Sequence, residues 1–226
     1  MAYDAAMPQA PETIEINFAR PMPLFPLPGC VLLPHGALPL HVFEPRYRQL
    51  VRDALDSFGL VAMGLFQGQV KQTEYLHGRP QIRPHVCVGY IEQYKAIDDG
   101  RYLVLLRGLC RAKIVREQPH EPYRMFQLQP TDLNQEENDS MGHRRRQIEE
   151  LLTDPRMRRV HGVEELRGLL DKPIPTTALI DIVAMQVCDD PEQRYPMLAE
   201  TSADRRGATL TAHLEDLRRQ IGSVEA

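Results

Sequence analysis

Three ionisable side chains, Glu44, Arg46 and Arg48, alternate through the stretch LPLHVFEPRYRQLVRDAL (residues 38–55), and His35 and His41 stand just before them. A carboxylate, an imidazole and guanidinium groups are the materials of general acid–base chemistry or of anion binding. Such chemistry also needs a nucleophile or acceptor and a pocket, and closeness along the chain supplies neither. The simpler reading is structural: Glu44 at a helix start, favoured there by the helix dipole and by free amides, and paired with Arg46 or with a strand arginine such as Arg107. Cys30 and Cys110 become reactive only where a cation lowers the thiol pKa. All four cysteines, with Cys87 and Cys188, are widely spaced and sit mostly in apolar runs, so packing is their expected role. No C-x2-C pair offers a zinc site. Arg144, Arg145 and Arg146 form a basic triplet beside acidic residues, without interleaved aromatics, which reads as a solvated helix face rather than a nucleic-acid contact.

The elements that must position these groups follow from periodicity. Residues 1–20 read as a mobile tail, with TIEINF (13–18) a candidate edge strand. PMPLFPLPGCVLLP (21–34) withholds so many backbone donors that any strand in it should be broken and near an edge, with Pro23, Pro26 and Pro28 as its markers. Alternation in LPLHVF (38–43) predicts a strand. Apolar spacing from Tyr47 through Leu50, Val51, Ala54, Leu55 and Phe58 predicts a helix over 45–57, closed by Gly59. LVAMGLF (60–66) reads as a buried strand and QGQVKQTEYLHGRPQIRP (67–84) as a surface loop. Two long strands, 85–97 and 101–118, flank DDG, a hairpin signal, and contain Gly89 and Gly108 where a curling sheet would bulge. A further strand is expected at 123–133. Beyond an acidic-then-basic linker starting at 134, helical patterns run over 143–153, 162–170, 175–187, 191–200 and 204–221.

The chain has 226 residues, 42% hydrophobic and 26% charged, with a net charge of -4. These values suit a globular protein with one domain and a smaller annex, and they give no overall pull toward nucleic acid or anionic membrane. No leader-like pattern opens the sequence and no window is long and apolar enough to span a membrane, so a cytoplasmic location is expected.

MPLFPLPGCVLLPHGALPLHVFEPRYRQLVRDAL, followed by HVCVGYIEQYKAIDDGRYLVLLRGLCRAKI, resembles the N-terminal domain of Lon-type proteases, and most closely stand-alone Lon substrate-binding-domain proteins. The resemblance is strong over 21–133 and extends more weakly through the helices, from TTALIDIVAMQVCDD to LTAHLEDL. It implies a twisted six-stranded pseudo-barrel followed by a helical subdomain, and a role in engaging unfolded polypeptide or in scaffolding protein contacts. No G-x-x-x-x-G-K-[ST] phosphate loop occurs, and no proteolytic domain presenting a Ser-Lys pair is seen, so the ATPase and protease parts of full-length Lon are expected to be lacking.

The expectation is therefore an α+β protein: a tail (1–20), a six-stranded twisted pseudo-barrel with one amphipathic helix (21–133) and a helical bundle (134–226). We expect a non-enzymatic module that binds unfolded or extended polypeptide, by strand addition at an open edge or in a groove between barrel and bundle. No catalytic residue, cofactor or metal is expected, and Phe43, Glu44, Arg46, Tyr47 and Arg107 form the candidate structural or interaction corner. A weak homodimer is compatible with this reading. The alternatives are an adaptor for one folded partner, and an enzyme or small-ligand sensor built on Glu44, Arg46 and His41, which would require a deep pocket at that corner.

Overall fold

The computed structural model describes residues 14–132 and 139–223. The first thirteen residues of the expected tail and residues 133–138 around the expected linker lie outside the described residues. Six strands lead: β1 (Met22–Leu27), β2 (Ala37–Val42), β3 (Leu60–Leu65), β4 (His85–Ala96), β5 (Tyr102–Gln118) and β6 (Arg124–Pro130). Helix α1 (Pro45–Leu55) joins β2 to β3, and a short helix, α2 (Gln72–His77), stands in what reads as a plain loop. Helices α3 (Asp139–Thr153), α4 (Val163–Leu170), α5 (Thr176–Val187), α6 (Pro191–Ala199) and α7 (Ala203–Ser223) follow, with a 3-10 turn at Pro155–Arg159. The stretch 14–17 forms no strand, although Ile14, Ile16 and Phe18 pack on the sheet's apolar interior.

The strand order is β2-β5-β4-β3-β1-β6, and β6 also returns to pair with the far half of β5. The sheet thus curls into a pseudo-barrel from which β2 and the adjoining halves of β5 and β4 project as a leaf. Alternation along the strands separates two cores. Met22, Leu24, Ala62, Val86, Val88 and Phe126 meet inside the curl. Their sequence neighbours Phe25, Val61, Met63 and Cys87 face outward into a larger cluster that runs through α1 to the C-terminal helices. β3 is buried on both faces, which is why it reads as an unbroken apolar run.

The proline-rich opening differs from expectation. β1 is flanked on both sides, parallel to β3 over Leu24–Leu27 and antiparallel to β6 over Met22–Leu24. Each neighbour uses only part of the strand, so the donors missing at Pro23 and Pro26 interrupt neither ladder along its whole length. The bends fall near the expected glycines, with a register shift between Val88 and Gly89. At Gly108 the chain crosses so closely that an added Cβ would lie 2.1 Å from the Leu33 carbonyl oxygen. The Gly108 amide donates to Gly36 O (2.9 Å) and its carbonyl accepts from His35 N (2.9 Å).

Barrel and helices meet at a buried charge cluster. The Arg111 side chain on β5 is 1% exposed and forks onto Asp181 of α5, 2% exposed, with N···O distances of 2.8 and 2.5 Å. Asp132 accepts a further bond from Arg111 at 3.1 Å, and the Met197 carbonyl accepts from the same guanidinium at 3.3 and 3.4 Å. Arg206 of α7 lies 3.4 Å from Asp181 and donates to the carbonyls of Glu200 and Thr201. Each charge is compensated, yet removing one partner strands the others away from water. We predict that Asp181→Ala lowers unfolding free energy by about 3–5 kcal/mol, whereas the paired replacement Arg111→Met with Asp181→Leu recovers most of it; urea melts of the three variants check this.

Candidate functional site

The corner around Glu44 is packed and ion-paired. Pro45 opens α1, and Glu44 occupies the cap position with extended backbone, but its side chain makes no capping bond. The carboxylate turns instead to Arg46, at 3.0 Å, and accepts a hydrogen bond from the Tyr75 hydroxyl. Tyr75 comes from α2, an element not legible in the loop sequence, and this outside donor draws Glu44 off the helix amides. The Arg46 guanidinium lies over the rings of both Tyr47 and Tyr75, 4.6 Å from each centroid. Tyr47 is buried against Phe25 (centroids 4.2 Å) and donates to the Pro26 carbonyl at 3.3 Å. Burial pushes its phenol well above the ordinary range.

The other corner residues disperse. Arg107 pairs with Glu92 at 2.8 Å and donates to the His35 carbonyl, on the projecting leaf. Arg48 lies against Gly100 of the β4–β5 turn. Phe43 is 58% exposed beside His41, with ring centroids 5.9 Å apart. A pocket of about 180 Å³ does border the corner, walled by Arg46, Tyr47, Phe66, Tyr75 and Tyr123. It is smaller than common ligand sites, His41 is not part of it, and its lining contains no serine, threonine or cysteine. Glu44 is committed to two partners, so the acid–base arrangement is not assembled. All four cysteines are free thiols; burial pushes Cys188 up to about 11 and Cys110 up to about 12. Two of the basic triplet reach neighbouring elements, Arg144 to Asp204 of α7 at 3.0 Å and Arg145 to the Ile174 carbonyl at 2.7 Å, whereas Arg146 is exposed.

A larger concavity, of about 760 Å³, lies on the other side of Tyr123. The end of α1 and the turn after it form one wall, with Asp53, Ser57 and Phe58; the segment 15–23 and Met125 of β6 form the other. Phe58 is its conspicuous member. Helical spacing assigns this side chain to the buried stripe of α1, but the helix stops at Leu55 and Phe58 is 68% exposed. The Gly59 amide donates back to Ala54 O (2.8 Å) from a left-handed conformation (φ 68°), and that turn swings Phe58 off the stripe. The sequence signal was the glycine itself, one residue after an aromatic.

A family model for the ATP-dependent protease La (LON) substrate-binding domain matches residues 21–216. The chain belongs to this family. Its fold is that of the N-terminal domain of the Mycobacterium avium complex Lon protease, with a TM-score of 0.67 at 16% identity, over 87% of this chain and 99% of that one. It is also similar to a Lon N-terminal domain protein from Xanthomonas campestris, with a TM-score of 0.56 and 25% identity, over 85% of this chain and 98% of that one. Lon protease 1 of Myxococcus xanthus is 27% identical over 172 residues, which is 75% of this chain and 19% of that protein. The chain therefore spans about a fifth of the length of that protease. Among the described residues no helix is long and apolar enough to cross a membrane.

Within this Lon-type domain the wall between pocket and groove is braced by β5–β6 charges. Glu117 accepts from Arg124 at 2.7 and 2.8 Å and from Arg79 at 2.8 Å. The Arg124 hydrogen bond is the main cause that holds the Glu117 carboxyl below its ordinary value. Its stabilisation is thus complete above the unfolded-state pKa and is lost as pH falls through the lower folded value. Glu117→Gln is expected to lower Tm at pH 7, with the difference from wild type shrinking as pH is taken below the ordinary carboxylate range. Glu44→Ala should cost about 1 kcal/mol in a denaturant melt.

Proposed function

We propose that this domain is a polypeptide-binding module that holds extended or unfolded segments in the groove between α1 and the segment 15–23. The observation that carries the reading is Phe58: a large aromatic side chain, 68% exposed, held at the mouth of a concavity of about 760 Å³. Ile16, Phe18 and Met125 continue the apolar lining, so a bulky side chain of a bound segment would find partners on both walls. Membership of a substrate-binding family supports this class of ligand. Strand addition at β1 is not available, because that strand is paired on both sides.

The reading has a direct test. A fluorescently labelled, permanently unfolded model client should bind the full chain in an anisotropy titration, and Phe58→Asp should weaken binding about tenfold or more with Tm unchanged. Absence of binding by the wild-type chain at about 50 μM would defeat the proposal.

A further inference from the structure

The groove contains a carboxylate whose chemistry its apolar lining does not explain. Asp53 is half-buried in the α1 wall, and its oxygens accept from Gln49 Nε2 (2.6 Å) and Tyr123 OH (2.8 Å), both neutral donors. Several other half-buried carboxylates are arranged differently: Glu44, Glu92, Glu117 and Asp132 each face an arginine. Asp53 makes no ion pair among the described residues, so its charge is solvated by two fixed dipoles and by whatever enters the groove. Glu15 adds a second carboxylate to the lining, against a single cation, Arg20.

Resting on the polypeptide-binding reading above, we infer that the groove selects segments in which a bulky apolar residue stands next to a lysine or arginine. The apolar side chain packs against Phe58, Ile16 and Met125, and the cation approaches the Asp53 carboxylate. Two neutral hydrogen bonds leave a carboxylate with acceptor capacity for such a donor. Excluding water around the pair strengthens it relative to an exposed ion pair.

The test uses the full chain and three labelled peptides of one length, identical except that the residue beside a central phenylalanine is lysine, glutamine or glutamate. Anisotropy titrations should rank them lysine, glutamine, glutamate in falling affinity, with about a fivefold loss from lysine to glutamine. Asp53→Asn should remove that difference between the lysine and glutamine peptides. Glu15→Lys, a change at an exposed position, should lower affinity for the lysine peptide even if Asp53→Asn were to disturb Tyr123. Equal affinity for the three peptides, or a preference for lysine that survives both substitutions, overturns the charge selection while leaving polypeptide capture standing. Failure of all three to bind defeats the capture reading, and the selection with it.

Discussion

The ion pair between Arg111 and Asp181 is the constraint on which the rest of the molecule depends. A guanidinium 1% exposed and a carboxylate 2% exposed are tolerable only together. Their forked geometry fixes α5 against β5 to within a hydrogen bond's length. Asp132 and the Met197 carbonyl take further donors of the same arginine, so the strand, the end of the barrel sequence and α6 share one centre. Around it the larger apolar cluster runs without a break from Phe25 and Leu106 to Leu179 and Leu210. Apolar burial supplies the driving force there, but it is non-directional, and the charge cluster selects one docking geometry among many of similar area.

That fixed geometry lets α1 do two things at once. Tyr47, Leu50, Val51 and Ala54 hold one face of the helix in the shared core, while Asp53, Ser57 and Phe58 remain available to the groove on the other side. The N-terminal end of the same helix is held by Glu44, Arg46 and the two tyrosines. The charged start of α1 is thus the helix's anchorage, as its structural reading in the sequence expected, and the open concavity lies at its far end.

Much of the architecture was legible because its causes are local. The alternation of β2, the apolar run of β3, the Asp-Gly turn, the helical period of α7 and the glycines of the curling sheet all follow from periodicity or steric demand within a few residues. The place of the proline-rich opening is not legible locally, because pairing on both sides of β1 depends on how much of the strand each neighbour uses, and that is decided by partners far along the chain. The short helix α2 buries no residue and so leaves no apolar stripe to read. Phe58 fitted the helical spacing and was lost from it by one left-handed turn. Asp181 sits as a lone charge in an apolar run, TTALIDIVAMQV, and that oddity is the readable trace of a contact whose partner, Arg111, only the fold reveals.

The curl of the sheet has a bearing on solubility. Where a curled sheet runs out, its last strands offer unpaired amides and carbonyls to any neighbouring chain, and sheets can grow from molecule to molecule along such rows. Here the projecting leaf has two such rows, and both are short. The outer side of β2 is six residues long and is interrupted by Pro39. The end of β4 beyond the reach of β3 carries a register shift between Ile91 and Gln93 and an exposed Lys95. Neither row is a continuous template, so the protein is poorly suited to seeding fibrils of itself even when crowded.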